Sequence, residues 1–160
     1  MHELLAELTS GDDTRAENSI PAIIELGMAA IPFLLELIPL LSDSASEVRA
    51  AAALALCNHP DESAIPALIN TLSDEDSLTA GLAGNALVKI GSPSVPSLLT
   101  VMSEAPTGIR IIVLRALSEI RDHRAIPVMM KSLSEESAVL QYWAQEGLQR
   151  LGLDMVYGKP

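Results

Sequence analysis

Few residues in this 160-residue chain combine a reactive type with a spacing that chemistry could use. Cys57 and His59 form a Cys-x-His pair, with Asp61 two positions further on. Such a pair can bind a metal ion or a thioether-linked ligand, but it supplies two ligands where zinc takes three or four. Cys57 is the only cysteine, and His2 and His123 lie far along the chain. His59 therefore reads as a structural histidine at a turn, and Cys57 as a small packed residue. No Ser-His-Asp order, phosphate-cradling glycine loop or dinucleotide fingerprint is present. The expectation is no catalytic residue, no metal and no cofactor.

The remaining charged and aromatic groups read as structural. Arg49 and Arg110 are expected to pair with acids in the connections before them, such as Asp43 and Glu104. Arg121-Asp122-His123-Arg124 reads as an exposed charged turn. Trp143, beside Tyr142, is placed to cover the open end of a helical stack, with the tail over 153–160 folding back as a cap.

The composition says what kind of elements must hold these residues. Apolar residues make up 49% of the chain but aromatics only 2%, so Ala, Leu, Ile and Val supply the packing. That suits closely packed helices better than a sheet, which favours β-branched and aromatic residues in alternation. Ten Lys and Arg stand against 21 Asp and Glu, a formal net charge of −11. Binding to nucleic acid rests on neutralising phosphates, so DNA and RNA are disfavoured, as is an anionic membrane surface. The single cysteine rules out an internal disulfide framework and fits a reducing compartment. The N-terminus lacks the basic start and apolar core of a signal peptide. The apolar stretch 28–41 is interrupted by Pro32, Glu36 and Pro39 and is too short to span a bilayer. A cytoplasmic protein is expected.

Aligning the chain on itself exposes a repeat. Ile31-Pro32, Ile65-Pro66, Val95-Pro96 and Ile126-Pro127 each open an apolar run, with the prolines 34, 30 and 31 residues apart. Upstream of them recurs a small residue followed by an apolar one: Ala22-Ile23, Ala55-Leu56, Ala86-Leu87, Ala116-Leu117 and Gly147-Leu148. A further apolar residue follows three positions later, except in the second repeat, where His59 takes the slot. Each unit thus reads as helix A, tight turn, helix B, with proline pre-organised at the first turn of B. The A helices are expected at about 13–26, 46–58, 77–90, 107–120 and 137–151, and the B helices at about 30–41, 63–73, 93–103 and 124–134. Connections rich in Ser, Asp and Glu supply N-caps and first-turn acids. Gly81 and Gly84 are read as permitting close helix approach. The organisation expected is one domain over 1–160. It holds an incomplete cap (1–11), repeats over about 12–42, 43–73, 74–104 and 105–134, and a half-repeat with tail (135–160).

Val48-Arg49-Ala50-Ala51-Ala52-Ala53-Leu54-Ala55-Leu56, followed by Ala64-Ile65-Pro66-Ala67-Leu68-Ile69 and Leu72-Ser73-Asp74, resembles the HEAT-like repeat named after phycobilisome lyases. Ile109-Arg110 through Ala116-Leu117, then Arg121-Asp122-His123-Arg124-Ala125-Ile126-Pro127, repeats the pattern. The resemblance implies an all-α fold, a right-handed α-α superhelix (solenoid) of about five stacked HEAT-like helical hairpins. It is poorly specific for function, because such folds host unrelated activities. Deoxyhypusine hydroxylases of the wider HEAT group carry paired His-Glu steps, whereas the only such step here is His2-Glu3. HEAT-like DNA glycosylases use a basic, aromatic groove that an acidic chain with one Trp does not offer.

The resemblance places ligands on the concave face lined by B helices. In the aligned B helices the columns Leu34/Leu68/Leu98/Met129, Leu35/Ile69/Leu99/Met130 and Ile38/Leu72/Met102/Leu133 are apolar throughout and read as core. Columns that change character, such as Glu36/Asn70/Thr100/Lys131 and Leu37/Thr71/Val101/Ser132, are expected to face solvent. The partner-binding residues expected are accordingly Phe33, Glu36, Leu37, Leu40, Asn70, Thr71, Thr100, Val101 and Lys131. The leading reading is a non-enzymatic scaffold or adaptor that binds another protein. The alternative is a bilin-lyase-like or phycobilisome-associated tetrapyrrole-handling protein, for which a bilin or phycobiliprotein would be the partner.

Overall fold

The structure is a computed structural model that describes residues 34–153. The expected half-repeat over 2–9, the helix at 13–26, His2-Glu3, Phe33 and the tail over 154–160 lie outside the described residues. Among the described residues there are eight α-helices and no strand. They are α1 (Leu34–Leu40), α2 (Ser46–Asn58), α3 (Ile65–Thr71), α4 (Ser77–Ile90), α5 (Val95–Glu104), α6 (Thr107–Ile120), α7 (Ile126–Ser132) and α8 (Ala138–Arg150). No helix among the described residues is long and apolar enough to cross a membrane.

The chain divides into two compact units, Met1–Ile90 and Gly91–Pro160. Within the first, α2 packs along α4, α3 lies against α4, and α1 against α2. Within the second, α8 packs along α6 and against α7, and α5 lies against α6. Each unit therefore pairs two long A-type helices side by side and sets shorter B-type helices against them.

The recurring small-then-apolar step explains this packing. Ala55, Ala86, Ala116 and Gly147 are buried, which lets neighbouring helices approach closely. The partners Leu56, Leu87, Leu117 and Leu148 are at most 1% exposed. Each contributes about 2 kcal/mol of hydrophobic stabilisation. Among the described residues, the slot three positions later is only half-buried, at His59, Ile90, Ile120 and Leu151. This is why a histidine is tolerated there.

The B-type helices begin differently from the sequence expectation. Short 3-10 turns, Glu62–Ala64, Ser92–Ser94 and His123–Ala125, precede α3, α5 and α7, so the α-helices start at the Ile-Pro or Val-Pro step itself. Asp61 and Asp122 cap two of these turns by accepting from the backbone N–H of Ser63 and Arg124. Before the A-type helices, Asp76 accepts from the Thr79 N–H at 2.9 Å and its hydroxyl at 2.6 Å, and Ser137 from the Leu140 N–H at 3.4 Å.

The reading of variable columns as solvent-facing is corrected by burial for one of them, Leu37/Thr71/Val101/Ser132, while Asn70, Thr100 and Lys131 of the other are exposed. Thr71 and Ser132 are buried, at 6% and 0% exposure, and so is Leu37 at 5%. This column lies three residues after the core column Leu68/Leu98/Met129, hence on the same helical face. Its polar members remain inside because the Thr71 hydroxyl donates to the Ala67 carbonyl at 2.8 Å and the Ser132 hydroxyl to Val128 at 2.9 Å. A buried hydroxyl with such a partner carries little desolvation cost. Conversely, the column read as core through Ile69 and Leu99 is half-buried, and Met130 is exposed.

Candidate functional site

Two arginines at equivalent places in the repeat organise the connections, and the contrast between them defines the candidate site. Arg49, in the first turn of α2, reaches the connection that follows its own hairpin. Its Nε and Nη2 donate to Asp74 at 2.6 and 2.9 Å, a bidentate pair. Its Nη1 donates to the carbonyls of Asp43 and Ser44 at 3.0 and 3.1 Å. The side chains of Arg49 and Asp74 are 10% and 8% exposed. The Arg49 hydrogen bond holds the Asp74 carboxyl below its ordinary range, and Asp74 in turn raises the Arg49 guanidinium.

Arg110, in the first turn of α6, stands to Glu135 as Arg49 stands to Asp74, 25 residues apart in both cases. Here the pairing runs through Nη2 alone, and Nε is buried without a hydrogen-bond partner. Beside it opens a cavity of 400 Å³ lined by Met102, Ser103, Ala105, Arg110, Lys131, Ser134 and Glu135. Lys131 projects from α7 and is exposed. The arginines were expected to pair with acids of the preceding connection. Instead the ion pairs reach forward to Asp74 and Glu135, and only backbone carbonyls are used behind Arg49. The signal that could have found this is the recurrence of Arg and an acid 25 positions on.

The residues expected to form a partner surface differ in exposure. Leu37, Leu40 and Thr71 are buried and Val101 and Glu36 half-buried, whereas Asn70, Thr100 and Lys131 are exposed. Lys131 alone of the set lines the cavity. Met102, Ser103, Ala105, Ser134 and Glu135 were missed, because the opening arises from contacts that this repeat lacks.

The other chemistry-bearing residues are held in structural roles. The Cys57 thiol is half-buried and donates to the Leu82 carbonyl at 3.3 Å. Burial pushes its pKa up to about 11, so it is not a ready nucleophile. His59 is half-buried, and its Nε2 has no hydrogen-bond partner. Asp122 accepts from Arg124 Nε and Nη2 at 2.9 and 2.7 Å, which holds its carboxyl well below the usual range. Arg124 also donates to the Ser92 carbonyl at 2.9 Å. Arg121, His123 and Arg124 are exposed, and Arg121 adopts the left-handed conformation (φ 59°) that ends α6. Tyr142 is 56% exposed and meets Trp143 edge-on, with centroids 5.1 Å apart. Among the described residues, no three His, Cys, Asp or Glu side chains form a group that could hold a metal ion.

Known proteins place this architecture. The family described as HEAT repeats matches residues 31–110, and the PBS lyase HEAT-like repeat matches residues 109–135. The chain is 36% identical over 99 residues to the bilin biosynthesis protein RpcF of Synechococcus sp. (strain WH8020), an alignment covering 61% of this chain and 47% of that protein. It is 35% identical over 91 residues to phycocyanobilin lyase subunit beta of Nostoc sp. (strain PCC 7120 / SAG 25.82 / UTEX 2576), covering 57% and 44%. The chain spans about half the length of the curated relatives it matches. The solved complex of CpcE and CpcF of phycocyanin lyase from Nostoc sp. PCC7120 superposes with a TM-score of 0.67 at 24% identity. The match covers 97% of this chain and 66% of that one, and at this identity it speaks for the fold alone. The expectation of a non-enzymatic scaffold is overturned by the relatives, which are named for bilin biosynthesis and for a lyase subunit rather than for adaptors. That expectation rested on the lack of a catalytic constellation, which does not exclude a subunit that positions a ligand. With HEAT repeats matched over residues 31–110, half of its length, the chain belongs to the HEAT-repeat family.

Proposed function

We propose that this chain is a bilin-lyase-type subunit that holds an open-chain tetrapyrrole and acts together with a protein partner. The observation that carries this reading is the pair of curated relatives at 35–36% identity, both named for bilin chemistry. The Nostoc relative is named as a lyase subunit, which supports action alongside a protein partner. The exposed Glu36-column residues Asn70, Thr100 and Lys131 remain candidates for contacts to that partner. The single cysteine fits work in a reducing cytoplasm.

The chain's own groups define what it contributes. Cys57 is the one thiol, and it is spent on the Leu82 carbonyl with its pKa pushed up to about 11. A covalent bilin on Cys57 is therefore disfavoured, and the role is to bind and orient the tetrapyrrole non-covalently while another chain supplies the acceptor. Mixing with phycocyanobilin tests this. The expected result is a shifted, sharpened visible absorbance that is lost on denaturation, with no chromophore left on the chain in a denaturing gel. An unchanged spectrum would remove the tetrapyrrole reading, and a chromophore surviving denaturation would remove the non-covalent one.

A further inference from the structure

We infer that the cavity beside Arg110 is a carboxylate-binding pocket that takes a propionate of the tetrapyrrole, with Arg110 and Lys131 as its cations. The inference rests on the tetrapyrrole reading above and deepens it.

The internal repeat provides its own control. At Arg49 the guanidinium is fully employed: two donors on Asp74, a third shared by two carbonyls, and the side chain 10% exposed. At Arg110 the same position pairs through one nitrogen to Glu135, Nε is orphaned, and the side chain is 20% exposed. A buried N–H without a partner costs on the order of 1–3 kcal/mol, which a fold does not keep without compensation. The compensation missing here is an acceptor, and carboxylates match a guanidinium in geometry and charge.

The cavity supplies room for one. Its 400 Å³ falls within the range of about 300–1,000 Å³ typical of ligand pockets. Arg110 and Lys131 against Glu135 leave the lining with one net positive charge, in a chain whose formal net charge is −11. The lining also offers Met102 and Ala105 as apolar surface for the ring edge that carries a propionate. Glu135 is itself a carboxylate and would repel the ligand if it stood alone. It instead anchors Nη2, and the ligand carboxylate is assigned to the remaining guanidinium donors that line the cavity, with the exposed Lys131 as the second cation. At the equivalent place on α2, Asp74 and the two carbonyls already occupy Arg49.

The experiment compares phycocyanobilin with its dimethyl ester, in which both propionates are neutral, by absorbance titration of the full chain and of the Arg110→Gln and Lys131→Gln variants. Wild type should bind the free acid about 10-fold or more tightly than the ester, the gain expected of charge-assisted hydrogen bonds. Both variants should lose about 10-fold for the free acid and nothing for the ester. Lys131 is exposed, so its variant keeps the fold and decides the matter if Arg110→Gln fails a circular dichroism check. Equal binding of acid and ester by wild type would overturn the pocket while leaving the tetrapyrrole reading standing. So would variants that discriminate as wild type does. Absence of binding by either form would overturn both.

Discussion

Arg49 and Asp74 form a pair buried enough that its loss should dominate any single surface change. Removing the arginine leaves a carboxylate at 8% exposure with its strongest donor gone, and breaking such a pair costs about 3–5 kcal/mol. Arg49→Met should therefore destabilise by about 3 kcal/mol in urea unfolding, and the Arg49→Met/Asp74→Asn double variant by less than the sum of the two single changes. The pair also sets a pH dependence. The folded Asp74 carboxyl lies below its ordinary 3.8, held down first by the Arg49 hydrogen bond. Its contribution is thus complete above about pH 4 and is lost as pH falls through the folded value. The gap between wild type and Asp74→Asn should be wide at pH 7 and narrow as pH falls below the ordinary carboxylate value of 3.8; a gap that stays constant through the acid range would show that Asp74 is not held ionised by the pair. At this scale the sequence was only partly legible. The arginines stood out, but their partners were sought in the preceding connection, because a link across 25 residues is visible only once hairpins are stacked. Glu135 was passed over for the same reason, and with it the cavity.

Helices were the most legible objects in the chain. The A-type spans at 46–58, 77–90 and 107–120 coincide with α2, α4 and α6, because the polar connections and the small-then-apolar step bracket them. The B-type starts were less legible: a 3-10 turn and an α-helix share the same proline and apolar signals, so the boundary between them depends on the Asp61 and Asp122 caps. Glycine shows how far helix-level reasoning goes before packing overrules it. Gly81 in α4 was read as a close-approach site, yet a methyl group added there meets nothing within 4 Å. Gly147 in α8 is the opposite case. An added Cβ would lie 2.6 Å from Met129 Cε, 2.8 Å from its Sδ and 3.0 Å from Ser118 Cβ. Met129 and Ser118 are both fully buried, and while the Met129 contacts fall at the flexible end of its side chain, Ser118 Cβ is fixed to its backbone. Gly81→Ala should therefore raise stability by about 1 kcal/mol through helix propensity, while Gly147→Ala, with the same propensity gain, should lower it by about 1–2 kcal/mol. Paired thermal and urea melts check both, and a shift in the same direction for the two would refute the packing argument.

Across the whole molecule, fold and function parted company. Self-similarity made the all-α repeat readable, since every repeat restates the same packing rule. The role did not follow, since the candidate pocket comes from one repeat failing to fill a place that its counterpart fills. The charge distribution connects the two levels. A chain of formal net charge −11 repels a tetrapyrrole bearing two propionates until it reaches the local cations, Arg110 and Lys131. The repulsion is long-ranged and screened by salt: the Debye length falls from about 30 Å at 0.01 M to about 8 Å at 0.15 M. The pocket contacts act over a few ångströms, are less screened, and govern dissociation more than approach. Raising NaCl from 10 to 150 mM should therefore speed the association of phycocyanobilin in stopped-flow absorbance. The dimethyl ester, which carries no propionate charge, should show almost no salt effect on its association rate. Lys131→Gln should mainly raise the dissociation rate and leave the sign of the salt effect on association intact. Were association of the free acid instead to slow with salt, the local cations would be steering the ligand from a distance, and the net charge would have no part in how the pocket is reached.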